Sequence, residues 1–546
     1  MTVRPHIPPR HTLAEVAGQT GGRVLGESAT PLTGLTLASG EVEPGDLFVA
    51  LQGANSHGAR YWPAARAAGA VAALTDETGA ALLGETAPLV IVPDPRAQLG
   101  ELSAWFYAYP ARDLKIGAIT GTTGKTTTAY LLEAAMRAAW RHTALLGTIE
   151  LRLDGRSEPS ARTTLEAPDL EAAFAAMRET GVKGCAMEVS SHALALHRVD
   201  GFQAGVACFT NLARDHLDFH KTMEAYFEAK ALAFTPEHAA RAVICVDDEW
   251  GRRLARETAL PPESVIRVAG AHTAGDGAAD AAPDWVVRPL GLGAVPQPGG
   301  AHDGGTGVGS VGAAGTCQLF RLEGPGGAMV DGSTRLPGGY NVMNAAFALL
   351  MAVSLGIDPA VAAAGIAELD GVPGRMERVA SPPGGPIGIV DFAHTPEAVA
   401  TSLEAARAQT SGRLIAVLGA GGGRDQGKRE LMGAAAARGA DLVIVTDDNP
   451  RQEDPALIRA AVMGGAEVAA AGAELREVAG RGAAIALAVD LAGPGDLVAV
   501  LGKGHETTQT DAAGQHPWDD RVALADALAA RAGRDDPEEK GRERQC

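Results

Sequence analysis

Residues 119–128, with the sequence ITGTTGKTTT, constrain the fold of this chain more than any other segment. They follow the apolar alternation of Leu114, Ile116 and Ala118 and precede apolar residues that recur at helical spacing from 132 to 140. This order predicts a strand, a glycine-rich loop and a helix, which direct backbone N–H groups and a helix N-terminus to one point. Because such a point binds phosphate, the segment favours an α/β domain that holds a nucleotide.

The loop residues match the usual phosphate-binding loop with one departure. In such loops a lysine reaches the outer phosphates and the next hydroxyl holds Mg²⁺, and Lys125 and Thr126 stand in those positions. The first glycine of G-x-x-x-x-G-K-[ST] would fall at Ile119, whereas the glycine here is Gly121. The alternative is a glycine- and threonine-rich turn with a surface lysine. The predicted nucleotide contacts are Gly121, Thr122, Thr123, Gly124, Lys125, Thr126 and Thr127.

Length, composition and charge limit the class of protein. A chain of 546 residues exceeds one hydrophobic core, so several compact domains are expected. The apolar fraction of 46% is typical of a soluble globular protein, and the net charge of −19 without a basic block argues against a nucleic-acid partner. No segment has the pattern of a signal peptide or a membrane span, so we expect a cytoplasmic protein without a membrane partner. We also expect a monomer. The five cysteines lack metal-ligand spacing, which favours buried free thiols.

The pattern of apolar runs divides the chain into three α/β domains. Residues 1–110 combine short strands such as GDLFVAL with alanine-rich helical stretches. Residues 111–371 form a central, P-loop ATPase-like domain, and a stretch rich in Gly, Ala and Pro near 270–316 predicts a flexible surface insertion. Residues 372–546 alternate apolar strands with helical segments, which is typical of a doubly wound, Rossmann-like parallel sheet.

Three polar, glycine-bearing loops follow strands of the last domain. They are GAGGGRDQGKR (419–429), TDDNPR (446–451) and GKGHE (502–506). Ligands of open α/β sheets bind at these strand ends. Arg424 and Arg451 can bind carboxylates in bidentate fashion, and Glu506 can accept an ammonium group. The set suits a zwitterionic amino acid, although each loop alone could be an ordinary turn with a surface arginine.

These motifs together resemble one family. The chain is similar, nearly end to end, to the Mur ligases, and most of all to the branch that adds the third residue of the peptidoglycan stem peptide. Mur ligases that act earlier or later, and folylpolyglutamate synthases, share the P-loop and the general plan but are not expected to carry this C-terminal set. The motifs are TGTTGKTTT (120–128), TTLEAPDL (163–170), MEVSSHALALHRV (187–199), FTNLARDHLDFH (209–220), YFEAKALAF (226–234), GGYNVMNAAFA (338–348), VPGRMERV (372–379), VDFAHTPEAV (390–399), GAGGGRDQGKRELM (419–432), DNPR (448–451) and GKGHE (502–506).

The resemblance implies an ATP-dependent amide ligase of peptidoglycan precursor synthesis. The γ-phosphoryl group of ATP would pass to the D-glutamate carboxylate of UDP-N-acetylmuramoyl-L-alanyl-D-glutamate, and the amine of a diamino acid would then displace phosphate. The partners would therefore be small molecules, namely the UDP-linked dipeptide and the diamino acid. Positioning and electrostatic stabilisation carry most of such a reaction.

The resemblance also implies a catalytic group of four residues, Lys125, Glu188, His216 and Lys230. Glu188 and His216, with Thr126, resemble the Mg²⁺-site residues of the family, whereas His216 alone would be interpreted as a satisfied histidine at a strand end. Lys230 resembles the lysine that CO₂ carbamylates, which converts a cation into an anion that helps to hold a second Mg²⁺. Taken alone, Lys230 would be a solvated lysine on an amphipathic helix.

Four further residues resemble nucleotide contacts of the family. Asn341 and Asn344 correspond to adenine-side contacts, and Arg375 and Asp391 correspond to C-terminal residues that close on ATP. Their alternative roles are helix caps or surface ion pairs.

The substrates are expected at two places, the UDP-linked dipeptide between the first two domains and the diamino acid at the C-terminal loops. By motif position, the predicted UDP-substrate contacts are Leu37, Ser39, Ala54, Asn55, Ser56, Thr163, Thr164, Ser190 and Arg198. The predicted amino-acid contacts are Arg424, Asp448, Asn449, Pro450, Arg451, Gly502 and Glu506. The chain departs from the family pattern at Ala38, Gly40, Leu196 and Cys245, which affects individual hydrogen bonds and not the reaction class.

The DNPR motif indicates meso-diaminopimelate as the added amino acid. In this family the motif accompanies that substrate, and the guanidinium of Arg451 suits its distal carboxylate. L-Lysine and L-ornithine lack this carboxylate and stay as alternatives, because Arg451 could bind the α-carboxylate common to all three. More distant alternatives are a P-loop small-molecule kinase, against which the C-terminal loops argue, and a nucleotide-gated binding protein without turnover.

Overall fold

The computed structural model describes residues 3–53, 55–84, 87–273, 282–294, 316–469 and 471–535. Its three main sheets fall in the three predicted α/β regions, one in each. The predicted fold class is therefore confirmed.

The first sheet has the strand order β2-β7-β6-β5-β4, and only β2 runs antiparallel to its neighbour. All four residues of β5 and of β6 are buried, as expected for parallel strands that helices cover on both faces. The strands of this region are β1 His11–Thr12, β2 Arg23–Leu25, β3 Pro31–Leu32, β4 Gly34–Thr36, β5 Asp46–Val49, β6 Ala72–Thr75 and β7 Leu89–Ile91, of which β1 and β3 pair with each other in a separate sheet. The helices are α1 Leu13–Thr20, α2 Trp62–Ala68, α3 Glu77–Leu83 and α4 Pro95–Phe106.

The central sheet has the order β11-β10-β9-β12-β8-β13-β14-β15-β16-β17-β18 and is parallel from β9 to β16. Helices α5 and α11 pack together over one face, so the P-loop helix is anchored in a large apolar core. The strands are β8 Lys115–Thr120, β9 Thr143–Leu146, β10 Glu150–Leu153, β11 Arg156–Pro159, β12 Gly184–Glu188, β13 Val206–Phe209, β14 Ala242–Cys245, β15 Val265–Gly270, β16 Trp285–Ala294, β17 Thr316–Glu323 and β18 Met329–Thr334. The helices are α5 Lys125–Ala139, α6 Ala167–Thr180, α7 Ser191–Ala195, α8 Leu217–His220, α9 Met223–Ala231, α10 Glu249–Glu257, α11 Gly339–Ser354 and α12 Pro359–Ala367.

The predicted flexible insertion near 270–316 is wrong for part of its length. Strand β16 lies within it, pairs with β15 in parallel and pairs with β17 in antiparallel fashion. Val287 of β16 and Phe320 of β17 are buried in the same core. Glycine and proline dilute the apolar pattern here, and the strand becomes evident only through its partners. Residues 274–281 and 295–315 lie outside the described part of the chain.

The third sheet, with the order β19-β20-β24-β21-β22-β23, is parallel except for β19. Helices α13, α14 and α15 bury one face and α16 and α17 bury the other, so the sheet is doubly wound as predicted. The strands of this region are β19 Glu377–Val379, β20 Ile387–Asp391, β21 Leu414–Leu418, β22 Leu442–Val445, β23 Glu474–Glu477, β24 Leu497–Leu501, β25 Thr508–Asp511 and β26 Gly514–Pro517, of which β25 and β26 pair with each other in a separate sheet. The helices are α13 Pro396–Arg407, α14 Arg429–Gly439, α15 Pro455–Ala469, α16 Arg481–Leu491 and α17 Asp520–Asp535.

The buried free thiols predicted from the sequence are confirmed for the described cysteines. Cys185, Cys208, Cys245 and Cys317 are free and buried, and Cys546 lies outside the described residues. Burial raises the pKa of the Cys185 and Cys208 thiols.

Among the helices that the structure describes, none combines the length and the apolarity needed to cross a membrane.

Candidate active site

The predicted strand, glycine loop and helix are present, and two glycines explain the tight geometry of the loop. Gly121 has φ +148°, and a Cβ there would lie 1.9 Å from the Thr210 hydroxyl oxygen. Gly124 has φ +86° at the N-cap of α5, and a Cβ there would lie 2.6 Å from the Asn344 side-chain oxygen. Both positions therefore require glycine, and the loop closes tightly against two neighbouring elements.

Two lysines converge on one backbone carbonyl beneath this loop. The Nζ atoms of Lys125 and Lys230 each donate to the carbonyl oxygen of Gly121 at 2.8 Å. Lys230 is only 1% exposed, and burial lowers its pKa well below the usual value, with a further decrease from the charge of Lys125 that Asp215 opposes. Lys230 is therefore no solvated helix lysine, and its buried amine is predisposed to the neutral form.

Of the predicted metal residues, Thr126 contacts Glu188, which ends β12. Its carboxylate accepts the Thr126 hydroxyl at 3.0 Å, the Thr148 hydroxyl at 3.0 Å and the Thr148 N–H at 2.7 Å. Burial lowers the pKa of His216 to about 3 although Asp215 opposes this change, so the imidazole is neutral near pH 7. Among the described residues, no group of three or more His, Cys, Asp or Glu side chains converges on a point that could hold a metal.

A cavity of about 450 Å³ opens beside the loop, between the central and C-terminal domains. It unites most of the predicted nucleotide and metal residues, whereas Gly121 and Lys230 lie outside its lining. The predicted residues in the lining are Thr122, Thr123, Gly124, Lys125, Thr126, Thr127, Thr163, Glu188, His216, Asn341, Asn344, Arg375 and Asp391. Sequence reasoning missed the role of Asn211, whose side-chain oxygen accepts the Thr123 N–H at 3.0 Å. Its position in the motif FTNLARDHLDFH is the signal that could have identified it.

Arg375 brings the C-terminal domain to the P-loop. Its Nη2 donates to the Thr126 hydroxyl oxygen at 3.0 Å, and its guanidinium lies 4.5 Å from the centre of the Phe392 ring. Its Nε is buried without a hydrogen-bond partner among the described residues. Asp391 stays within its own domain, where it accepts the Met376 N–H at 2.6 Å and the Ser402 hydroxyl at 2.8 Å.

Asn341 and Asn344 lie one turn apart on α11 and form a short chain of hydrogen bonds. Asn341 donates to the Pro337 carbonyl at 2.6 Å, and Asn344 donates to the Asn341 side-chain oxygen at 2.9 Å. Thr128 of the P-loop helix donates to Asn344 at 3.3 Å. Both asparagines therefore have internal partners, which fixes their orientation in the cavity wall.

The predicted UDP-substrate residues of the central domain form a connected group. The Thr164 hydroxyl donates to the Glu188 carbonyl at 3.0 Å and accepts the Ser190 N–H at 3.0 Å, and Ser190 caps α7. Arg198 pairs with Glu166 at 3.0 Å, and Glu166 also pairs with Arg96 of the first domain at 2.7 Å. The group thus lies where the first two domains meet.

The first-domain members of this predicted set are less connected. Leu37 packs half-buried against a core that the first domain shares with α6, and Ser39 is half-buried. Asn55 is exposed and Ser56 is half-buried, whereas Ala54 lies outside the described residues.

The three C-terminal loops assemble into one polar cluster, as predicted. Arg451 has φ +55°, its N–H donates to the Thr510 carbonyl at 3.0 Å, and its Nη1 donates to the Gly422 carbonyl at 2.6 Å. Burial lowers the pKa of Arg451, and the charge of Arg424 lowers it further against opposition from three carboxylates. Arg424 and Arg451 thus place two guanidinium groups in one cluster, an arrangement that favours binding of carboxylates. A Cβ added at Gly422 would lie 2.0 Å from the Pro450 carbonyl oxygen.

Lys503 organises this cluster, and sequence reasoning missed it. Its side chain is fully buried, and its Nζ donates to Asn449 at 3.0 Å and to Glu506 at 2.8 Å. Asn449 in turn donates to Glu506 at 2.9 Å. A Cβ at Gly502 would lie 2.6 Å from an Asp448 carboxylate oxygen, so the loops after β22 and β24 touch directly. The lysine in GKGHE was the available signal.

Sequence comparison identifies the family to which these sites belong. The Mur ligase family catalytic domain matches residues 31–107, the Mur ligase middle domain matches residues 119–288, and the Mur ligase glutamate ligase domain matches residues 374–504. The chain belongs to the Mur ligase family. Each matched region contains most of the strands of one of the three sheets of this Mur ligase.

Individual Mur ligases match nearly the whole chain. The UDP-N-acetylmuramoyl-L-alanyl-D-glutamate–2,6-diaminopimelate ligase of Streptomyces coelicolor is 45% identical over 525 residues, which cover 95% of this chain and 97% of that one. The enzyme of the same name from Corynebacterium efficiens is 44% identical and covers 95% of this chain and 94% of its own. A solved structure that carries this name is 30% identical, with a TM-score of 0.61, and covers 96% of this chain and 99% of that one.

The departures of this Mur ligase from the family pattern have defined places. Cys245 lies in the cavity wall with its sulfur 3.6 Å from Asp247 Oδ2, and burial raises its pKa well above the usual value. Leu196 is the C-cap residue of α7. The Ala38 N–H donates to the Thr36 hydroxyl oxygen at 3.2 Å, and Gly40 is exposed.

Proposed function

We propose that this Mur ligase adds meso-diaminopimelate to UDP-N-acetylmuramoyl-L-alanyl-D-glutamate and converts ATP to ADP and phosphate. The observation that carries the proposal is the cavity in which Arg375 of the C-terminal domain reaches Thr126 of the P-loop. The names of the relatives at 44–45% identity support it. Residues 1–110 would bind the UDP-sugar, residues 111–371 ATP and residues 372–546 the amino acid.

The residues of the cavity suit transfer of a phosphoryl group to a carboxylate. Lys125 now donates to loop carbonyls and can turn to the outer phosphates, while Arg375 can move from the Thr126 hydroxyl to the same charge. Transfer breaks the bond between the β,γ-bridging oxygen and the γ-phosphorus of ATP and forms an acyl phosphate on the D-glutamate carboxylate. The amine of the diamino acid then attacks the acyl carbon, loses a proton and releases phosphate, which leaves the amide.

The predicted metal residues fit Mg²⁺. Glu188 offers carboxylate oxygens that three hydrogen bonds already orient, Thr126 offers a hydroxyl, and His216 is neutral and offers a lone pair. Mg²⁺ bound there would neutralise charge on the transferring phosphoryl group.

We also propose that Lys230 is carbamylated. The neutral amine is the form that reacts with CO₂, and the reaction forms an N–C bond, releases one proton and leaves an anion. Two lysine amines on the carbonyl of Gly121 repel each other when both are charged, whereas a carbamate on Lys230 would attract Lys125. The burial and the lowered pKa of Lys230 support this modification.

The amino-acid cluster favours a substrate with two carboxylates. Arg424 and Arg451 provide two guanidinium groups, and meso-diaminopimelate carries one carboxylate for each. L-Lysine and L-ornithine would leave one arginine without an anion, which is the physical reason for a preference.

One assay tests the proposal. The full chain is incubated with ATP, Mg²⁺, the UDP-linked dipeptide and, in separate reactions, meso-diaminopimelate, L-lysine and L-ornithine, and products are identified by mass. We expect ADP, phosphate and the diaminopimelate amide. A phosphorylated product without an amide would indicate a kinase, and the absence of any turnover would indicate a nucleotide-gated binding protein. Light scattering of the same protein tests our expectation of a monomer, which would give the mass of one chain, 55.7 kDa.

A further inference from the structure

Two short segments face each other across the boundary between the central and C-terminal domains. Residues 214–218 follow β13 and include the predicted metal residue His216, and residues 424–428 follow β21 and include the predicted amino-acid contact Arg424. Three ion pairs join them, one with its cation in residues 214–218 and two with their cations in residues 424–428, and we call this set the interdomain ion-pair network. The pairs are Arg214–Asp425, Asp215–Lys428 and Asp218–Arg424.

The three pairs differ in burial and geometry. Arg214 binds Asp425 in bidentate fashion, with Nε–Oδ2 at 3.0 Å and Nη2–Oδ1 at 3.2 Å. The Asp215–Lys428 pair is 3.5 Å apart, and its side chains are only 7% and 9% exposed. Loss of one partner from a buried pair leaves an uncompensated charge, whereas an exposed pair contributes little. The buried pair should therefore dominate the energy, and the bidentate pair should set the orientation.

Asp215 is the point where the network touches the phosphate site. One carboxylate oxygen faces Lys428, and the other lies 3.4 Å from the His216 ring and 3.6 Å from the His394 ring of the C-terminal domain. The placement of Lys428 and His394 by the C-terminal domain thus fixes Asp215, which adjoins His216.

Arg424 is the point where the network touches the amino-acid site. It lies 3.6 Å from Asp218 and its side chain is 55% exposed, so its guanidinium can be held by Asp218 and still meet a carboxylate. The order of the charges also selects one register, because a shift of one residue would bring Arg424 toward Arg214.

We propose that the interdomain ion-pair network couples the amino-acid loop to the phosphate site, and that Asp215 and Lys428 are positioning residues of the reaction. The identity of both substrates in this inference rests on the proposed function. The network forms only when the two domains are in contact, so it would place the amine donor and the phosphoryl acceptor together in the same closed state.

Charge reversal of the bidentate pair tests the inference in the full chain. Arg214→Asp and Asp425→Arg should each lower kcat/KM for the diamino acid about tenfold, because each change replaces attraction by repulsion. The double variant should recover at least half of the loss in the logarithm of kcat/KM. The matched control is the reversal of Arg288 and Glu323, an exposed pair at 2.6 Å within the central sheet, which should leave turnover unchanged.

The buried pair provides the second measurement. Lys428→Met should lower kcat about 100-fold while KM for ATP changes less than about threefold, and Lys428→Arg should recover part of kcat. A merely structural role would change thermal stability without this split. The inference would be overturned if both single charge-reversal variants were fully active, or if the double variant were no more active than the less active single variant. Equal changes of kcat and of KM for ATP in Lys428→Met would also overturn it.

Failure of the proposed function would be visible separately. If the native chain forms no amide, the network is tested by solution scattering with a non-hydrolysable ATP analogue and Mg²⁺. The native chain should then adopt the compact dimensions of the described arrangement and Lys428→Met should stay larger. Equal dimensions of the two proteins would overturn the inference.

Discussion

At the scale of single residues, Lys125 is the simplest test of the phosphate site. Its Nζ contacts the carbonyl oxygens of Gly121 and Thr122 at 2.8 and 3.0 Å, and these acceptors belong to the loop itself. Lys125→Ala should therefore lower ligation by about 100-fold or more and leave the fold intact, since the lost charge acts on phosphate. Product formation and thermal unfolding are measured together. Lys115→Ala, on the exposed side of the preceding strand, is the control, and unchanged turnover of folded Lys125→Ala would remove the loop from the mechanism.

Lys230 tests the carbamate. Lys230→Ala should be nearly inactive, and a short carboxylic acid in solution should partly restore turnover because it replaces the missing anion. The same acid should not restore Lys125→Ala, although both lysines contact the carbonyl of Gly121. Carbon NMR with ¹³CO₂ should reveal the carbamate in the native chain. A crystal structure with a bare, cationic Lys230 in an active Mg²⁺ complex would contradict the modification.

Arg451 tests the choice of amino acid. The half-buried guanidinium of Arg451 loses roughly a few kcal/mol without its carboxylate, so the native chain should prefer meso-diaminopimelate to L-lysine by about 100-fold. Arg451→Ala should remove most of that preference. The measurement is kcat/KM for meso-diaminopimelate, L-lysine and L-ornithine in both proteins, with Arg476→Ala on the exposed β23 as control. Equal or better use of L-lysine or L-ornithine by the native chain would overturn the assignment.

At the scale of elements, adjacent glycines of α15 offer a matched pair. A Cβ at Gly465 would lie 1.9 Å from the Glu430 carbonyl of α14, whereas a Cβ at Gly464 would meet nothing within 4 Å. Gly465→Ala should therefore destabilise the chain by about 1–3 kcal/mol because the helices are forced apart. Gly464→Ala should stabilise it by up to about 1 kcal/mol because alanine favours a helix. Urea unfolding checks both, and a Gly465→Ala variant as stable as Gly464→Ala would show that the helices do not cross at this contact.

The elements also show what a sequence can and cannot predict. The P-loop unit and the doubly wound sheet were predictable because their signals are local, namely apolar periodicity and glycine spacing. Strand β16 was not, because its sequence contains glycine and proline and its pairing with β17 spans residues 295–315. The site shows the same division. Lys125 and Thr126 stand in one motif, whereas the contact of Arg375 with Thr126 joins residues 249 positions apart.

At the scale of the whole molecule, the candidate site depends on how two domains are placed. Arg375 reaches the P-loop from the C-terminal domain, and Asp215 of the central domain contacts Lys428 and His394 of the C-terminal domain. No motif encodes this placement, because it follows from complementary surfaces that only the folded domains present. The amino-acid cluster and the phosphate site are thus properties of a domain arrangement as much as of their residues.

The last prediction concerns this arrangement. The described structure has the C-terminal domain in contact with the P-loop, and the domains are joined near Tyr109-Pro110 and Val372-Pro373. Contacts to ATP from two domains favour their approach, and approach also excludes water from the acyl phosphate. Solution scattering should therefore give a smaller radius of gyration with an ATP analogue, Mg²⁺ and both substrates than without ligands. The liganded profile should match the described arrangement, and Lys428→Met should need more of each ligand to reach it. Identical dimensions with and without the full set of ligands would refute closure.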